Sequence, residues 1–299
     1  MNEPTTPLLK MGSRLPRAAI FLSGSGTNAE VILERRRTAA LPAFTPAALV
    51  TDAPETSRAR ELATRFGIEL IALDIRAFYR ARGECSIRLS TPRGREIREE
   101  WTAELRRLIA PCNIDFGILA GFVPLTNLTG DFPCLNVHPG DLTVCAPDGS
   151  RLLAGLHLLP VEKAITMGLP TLRSSVILAQ SYTGNGDKEM DSGPILGISE
   201  PVPVRLDGHS VAELAAVRDL RPGGKRPAEP DLLEIIARRN IENLKVNGDH
   251  VVFPRVIDAF ASGRYGRRGA TLCFRGEDGR FVPVETVEFS RSDATPIPI

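Results

Sequence analysis

The sequence predicts an α/β protein: a mainly parallel sheet flanked by helices, extended by antiparallel strands and ending in a C-terminal hairpin. Three observations carry this. Short runs that are apolar on both faces, such as "RAAIFLS" and "PAALVTD", read as strands of a sheet covered on both sides. Segments of helical period separate them. Strand and helix alternate at the pace of βαβ units, a Rossmann-like arrangement.

Residues 1–16 are polar, proline-containing and aperiodic, and are expected to form a flexible arm. "RAAIFLS" is then the first strand. "GSGTN" turns the chain into "AEVILERRR", which has helical spacing. "PAALVTD" is the second strand, and "SRARELATRFG" is a helix closed by Gly67, a residue suited to the left-handed cap. "IELIALD" is the third strand. A longer helix around Arg95 to Ile109 places Trp101, Leu105 and Leu108 on one stripe. "DFGILAGF" and "PCLNVH" are the fourth and fifth strands. "RSSVILAQSY" and "GPILGISEPVPV" read as longer strands with no helix between them, extending the sheet antiparallel. Asp207 to Asp231 is rich in Pro, Gly and charge and predicts a partly mobile loop. Leu232 to Ser262 is helical by pattern. "ATLCFRG" and "RFVPVETVEF", joined across "EDG", predict a hairpin. The expected division is an arm over 1–16, an α/β domain over 17–265 and a hairpin tail over 266–299.

Composition narrows the function classes. The 299 residues carry 37 basic and 36 acidic side chains, a net charge of +1, which gives no electrostatic case for nucleic acid or an anionic membrane. The five cysteines (Cys85, Cys112, Cys134, Cys145 and Cys273) are odd in number and form no CxxC pair, against a disulfide framework or a structural zinc. No stretch reaches the ~18 apolar residues of a spanning helix. The apolar run Ala18 to Leu22 is too short for a secretory signal and enters a glycine turn. A reducing cytoplasm is the expected setting, with no metal. The oligomeric state is left open, a homo-oligomer included.

Two stretches carry chemistry. "SGSGTNAE" stands where a strand gives way to a helix, so free N–H groups and the positive helix end favour an anion. Gly24 to Ala29 fits G-x-G-x-x-A, and Asp52 ends the second strand where a ribose-binding acid would sit. The turn alone does not separate a dinucleotide, a simple phosphate and a turn without ligand. In "LNVHPG", Asn136 and His138 are two apart in a strand and so point one way, and Cys134 shares their parity. An amide and an imidazole aimed at one point can stabilise an oxyanion and exchange a proton. A carboxylate to orient the histidine is missing from this stretch.

Four stretches in order, "FLSGSGTN", "ILAGF" (Ile118 to Phe122), "LNVHPG" and "DSGPIL" (Asp191 to Leu196), resemble the folate-dependent formyltransferases, most closely the phosphoribosylglycinamide formyltransferases. The likeness runs from about Arg17 to Tyr265, with weaker support from "GLH" and "DHVVFPRVIDAFASGRY". It accounts for four motifs, where the dinucleotide reading accounts for one. It implies transfer of a formyl group from 10-formyltetrahydrofolate to a small-molecule amine, in one-carbon metabolism and purine biosynthesis. On that resemblance Asn136 and His138 hold the tetrahedral oxyanion, and Asp191 supports the histidine and helps move the proton. Gly26, Thr27 and Asn28 bind the phosphate of a ribonucleotide amine. Phe122, Val123, Pro124 and Leu125 line the folate pocket. His157 and Asp249 face the substrate, Asp249 through its hydroxyls.

The chain departs from that family at several points. "DLTVCAPDGSRLLAGLH" is longer than the family's loop, Ile177 replaces a histidine, and Pro124 replaces an arginine after "AGF". The "SYTGNGDKEM" loop before Asp191 is enlarged, and Asp207–Asp231 and the hairpin have no counterpart. Glycinamide ribonucleotide is the expected acceptor, since the phosphate-type turn is intact, with a sugar-nucleotide amine as alternative. A formyltetrahydrofolate hydrolase is a second reading, less expected with 16 residues before the first strand in place of a regulatory domain. The methionyl-tRNA relatives are less expected too, because their extra C-terminal barrel is not matched by a short tail. A silent nucleotide-binding regulator is a third reading, opposed by the intact Asn136, His138 and Asp191.

Overall fold

The computed structural model describes residues 4–156, 158–182 and 191–299. Its first half alternates as β1 (Thr6–Pro7), β2 (Arg17–Phe21), α1 (Thr27–Thr38), β3 (Thr45–Thr51), α2 (Ala59–Phe66), β4 (Glu69–Ala72), α3 (Ile75–Arg80), α4 (Pro92–Ile109), β5 (Phe116–Leu119) and β6 (Cys134–His138). The second half holds α5 (Leu159–Thr166), β7 (Thr171–Leu172), β8 (Ser175–Leu178), β9 (Ile195–Ser199), β10 (Val202–Pro203), α6 (Val211–Asp219) and α7 (Leu232–Leu244). A π-helical turn, Lys245–Asp249, links α7 to α8 (His250–Ala261), and β11 (Tyr265–Arg268), β12 (Thr271–Arg275), β13 (Phe281–Pro283), β14 (Thr286–Phe289) and β15 (Ala294–Ile297) follow.

Among the described residues the main sheet runs β15-β14-β9-β8-β6-β5-β2-β3-β4. The strands β4, β3, β2, β5 and β6 are parallel, and β8 pairs antiparallel with both β6 and β9. The predicted mainly parallel sheet with an antiparallel extension is therefore present. Chain order reverses around β2, with β3 on one side and β5 on the other. In open α/β sheets that switch point, at the carboxyl ends of the strands, is where ligands bind.

Strand alternation explains the two cores. Ile20, Leu22, Ile118 and Leu135 join Val256, Phe260 and Phe116 on one face. Ala19, Phe21 and Val50 meet Trp101, Leu105 and Ile97 of α4 on the other. Burying each large apolar side chain contributes roughly 1.5–3 kcal/mol, so the central strands are held from both sides. Helix ends follow the sequence: Gly67 closes α2 at φ 64° in the left-handed region, and Thr91 caps α4 through the Gly94 N–H.

Three expectations need correcting. The arm expected over 1–16 is tied down over its described part: β1 pairs with β11, Leu8 N–H donates to the Tyr265 carbonyl, and Leu9 is buried. Asp207–Asp231 is not a loose loop, since it contains α6 with a Ser210–Glu213 capping box and a buried Arg221. "RFVPVETVEF" is two strands: β13 completes the hairpin with β12, whereas β14 crosses to pair parallel with β9 and carries β15 at the sheet edge. The helices α3 and α5 were not foreseen. Among the described residues no helix is long and apolar enough to cross a membrane.

Candidate active site

The two loops at the switch point are stitched together. Ser23 N–H donates to the Gly121 carbonyl at 3.1 Å, and Ser23 Oγ accepts from Val123 N–H at 2.9 Å while donating to Asp52 Oδ1 at 2.5 Å. Asp52 is buried, which pushes its carboxyl up from the ordinary range against the Ser23 hydrogen bond. It braces a loop and does not stand open to a ribose, so the dinucleotide reading loses its acid.

Gly26 is the N-cap of α1 at φ 63°, and the helix has no side-chain cap. The left-handed conformation favours glycine there, and a Cβ would also press on Leu22 Cδ1 at 2.8 Å and Leu62 Cδ1 at 2.9 Å. Thr27 and Asn28 open the helix. The turn thus offers uncapped N–H groups at the positive helix end. Asn28 Nδ2 donates to Asp249 Oδ2 at 3.3 Å, and Ser174 Oγ donates to Asp249 Oδ1 at 2.6 Å. Burial raises the Asp249 carboxyl above its ordinary range, opposed by those two bonds. Asp249 is therefore brought to the turn as its brace. Asn28 Oδ1 is buried and has no partner among the described residues, leaving an acceptor for a ligand donor.

At the end of β6 the parity reading holds: Asn136 and His138 pair across to Ile177 and Ser175 of β8. Asn136 is half-buried and makes no side-chain hydrogen bond among the described residues. His138 is 3% exposed. Its Nδ1 lies 3.3 Å from Asp191 Oδ2, and its Nε2 lies 2.7 Å from the Leu153 carbonyl. Both partners are acceptors, so the network is complete when both ring nitrogens carry a proton. Asp191 also accepts from Gly155 N–H at 3.2 Å and sits at φ 58°. Ser175 Oγ donates to the Gly140 carbonyl at 2.8 Å and accepts from Leu142 N–H at 3.0 Å, fixing the turn after the histidine.

Gly140 leaves room for this arrangement. A Cβ there would fall 2.7 Å from the Leu153 carbonyl oxygen and 2.9 Å from His138 Nε2. Gly140→Ala is expected to displace the imidazole, which ¹⁵N-histidine NMR of the full chain would show as a shifted His138 resonance.

The implied folate-pocket residues divide. Val123 and Leu125 are exposed at 54% and 41%, while Phe122 packs against Phe21 and Trp101 at centroid distances of 5.3 and 6.3 Å. Pro124 is buried. Buried Arg98 holds this loop by donating to the Leu125 carbonyl at 2.8 Å. Cys134 does not line the crevice. It is buried, its Sγ is directed to the Phe132 carbonyl, and burial pushes its thiol far up. His157 and residues 183–190 of the enlarged loop lie outside the described residues. Among the described residues no cluster of His, Cys, Asp and Glu is arranged to hold a metal.

Sequence reasoning missed Ser174, Ser175 and Arg151. Arg151 gives one guanidinium nitrogen to the Asp191 carbonyl and the other to the Gly193 carbonyl at 2.8 Å. The signal was present, since it is the one Lys or Arg between His138 and Lys163, inside the lengthened loop.

No protein-family model and no curated protein matches the sequence. Solved structures do match. Glycinamide ribonucleotide transformylase 1 from Symbiobacterium toebii is 22% identical at a TM-score of 0.57, over 88% of this chain and 96% of that one. Phosphoribosylglycinamide formyltransferase from Coxiella burnetii is 16% identical at 0.58, over 93% and 100%. A formyltetrahydrofolate deformylase from Pseudomonas syringae pv. tomato is 14% identical at 0.53, over 87% of this chain and 66% of that one. The fold of this chain is the one these formyltransferases and the deformylase share.

Proposed function

We propose that this chain transfers a formyl group from 10-formyltetrahydrofolate to an amine, with glycinamide ribonucleotide as acceptor. The observation that carries the reading is the meeting of His138 and Asp191, 53 positions apart in sequence, next to Asn136 at the carboxyl end of a central strand. The exposed apolar side chains of Val123 and Leu125, on a loop anchored by Ser23 and Arg98, fit a flat ring system. The uncapped start of α1, with Gly26, Thr27 and Asn28, fits the phosphate of the amine.

The bound donor supplies an activated formyl carbon. The chain's own groups act around it. The Asn136 amide and a His138 N–H donate to the oxygen on which negative charge develops. For Nε2 to do so the Leu153 carbonyl must yield its place. Asp191, aimed by Gly155 N–H, accepts from His138 Nδ1–H and holds the imidazole in place while the proton of the attacking amine passes to the folate nitrogen, which leaves as its bond to the formyl carbon breaks. No covalent enzyme intermediate is required, and Cys134 is sealed from the site.

The deformylase neighbour supports hydrolysis as the second reading, because the same trio can serve an attacking water. One assay decides: the protein is mixed with 10-formyltetrahydrofolate, and tetrahydrofolate release is followed with and without glycinamide ribonucleotide. Release only with the amine supports the proposal. Release without it transfers the assignment to hydrolysis, and no release in either arm rejects both. Asn136→Ala is expected to lower kcat about 10²–10³-fold with KM little changed, as for loss of one oxyanion donor.

A further inference from the structure

One short segment governs the His138–Asp191 pair. Within five residues, Leu153 takes the outer nitrogen of His138, Gly155 N–H donates to the Asp191 carboxylate, and Arg151 holds the Asp191 main chain. Arg151 makes no ion pair among the described residues. Its guanidinium is taken partly out of water, and burial lowers its pKa. A charge in that position is ordinarily matched by a carboxylate. Here it is satisfied by two main-chain carbonyls, those of Asp191 and Gly193, through the fork that arginine alone supplies.

The first of those two carbonyls belongs to a strained residue, and the second lies two positions after it. Asp191 has φ 58°, a conformation uncommon for residues other than glycine and held only where the surroundings impose it. Gly193 is equally constrained, since a Cβ there would sit 1.8 Å from the Leu178 carbonyl oxygen. Rotation of Asp191 to a relaxed φ would swing its Cβ, and with it the carboxylate that faces Nδ1 of His138. Charge-assisted hydrogen bonds of the kind Arg151 makes are roughly twice as strong as neutral ones and hold the backbone there against that strain.

We propose that Arg151 is a positioning residue: by clamping the Asp191 and Gly193 carbonyls it fixes the left-handed turn that aims the Asp191 carboxylate at His138. Its role in turnover rests on the formyl-transfer reading; its effect on His138 does not. The lengthened loop after "LNVHPG" is in this view part of the catalytic support.

Arg151→Met and Arg151→Lys test it, with circular dichroism and thermal melting to verify the fold. Arg151→Met is expected to lower kcat about 10²-fold with both KM values within twofold, the signature of misaligned chemistry with binding intact. Arg151→Lys is expected to recover only part, because an ammonium cannot bridge two carbonyls as a fork. In an Asp191→Asn background Arg151→Met should add almost nothing, since both changes remove one interaction. Unchanged kcat in Arg151→Met with a lowered Tm would reduce Arg151 to a structural role and overturn the proposal. The second readout needs no substrate: ¹⁵N-histidine NMR of the full chain should show the His138 Nδ1–H resonance shifted or broadened in Arg151→Met. An unmoved resonance overturns the proposal even if the wild type transfers no formyl group. A shifted one in an inactive wild type upholds the clamp and rejects the formyl-transfer reading instead.

Discussion

Asp191→Asn is expected to lower turnover by 10²–10⁴-fold or so, the range for losing a positioned acid–base partner, while the chain still folds. The asparagine keeps the size of the carboxylate and an oxygen for the Gly155 N–H, so packing around the left-handed turn is preserved. What disappears is the charge 3.3 Å from His138 Nδ1. Without it His138 Nδ1–H loses its charged acceptor, and an asparagine NH₂ turned toward the ring would face that N–H donor to donor. His138→Ala is expected to abolish turnover to the same degree, but it is the harsher change. It leaves a carboxylate in a site only 9% exposed with one fewer partner, and breaking a buried pair from one side costs about 3–5 kcal/mol. The two variants should therefore agree in activity and differ in Tm. Single-turnover formyl transfer with a denaturation curve for each measures both. Near-normal rates in Asp191→Asn would remove the pair from the chemistry.

The parallel half of the sheet was legible because its strands are covered on both faces. Such strands are apolar at most positions, so β2, β3, β5 and β6 stand out as runs bounded by glycine or proline, with Asn136 and His138 the polar exceptions at the end of β6. The pairing of His138 with Asp191 was not legible from local pattern. Asp191 follows β8 and an enlarged loop, and β8 itself starts opposite His138 and runs away from it, so no local pattern marks the meeting; the motif resemblance supplied what periodicity could not. The tail misled for a related reason. Nothing local separates Val284 from Glu285, yet β13 ends beside β12 and β14 begins beside β9, a division decided by which sheet edge each half meets. For α6 the sequence did carry a signal. Ser210 and Glu213 are a capping box, and the Pro and Gly content around it concealed a helix that tertiary contacts support.

Those contacts centre on Glu162, and Glu162→Ala is expected to cost about 3–5 kcal/mol, the scale for breaking a buried ion pair from one side. Glu162 is 4% exposed on α5 and accepts two hydrogen bonds from Arg221, both at 3.0 Å, and two from Arg226, at 2.9 and 3.2 Å. Arg221, 8% exposed, reaches on to Asp231, the N-cap of α7, at 2.7 Å. The segment that composition marks as loose is thus fastened to α5 and α7 by a charge network with little contact with water. Removing Glu162 strands two guanidinium groups, one of them buried. Burial pushes the Glu162 carboxyl up, but the hydrogen bonds from Arg221 and then Arg226 outweigh it and hold the carboxyl below its ordinary 4.5. A carboxyl depressed in the folded state contributes stability in full above its unfolded pKa and loses it as pH falls through the folded value. Urea denaturation at pH 7 should therefore show the full deficit of Glu162→Ala relative to the wild type. The gap should narrow as pH falls below 4.5 and through the depressed folded value, where the wild type protonates Glu162 and loses the same network. A deficit that stays constant from pH 7 to 3 would mean that Glu162 acts through packing and not through its charge.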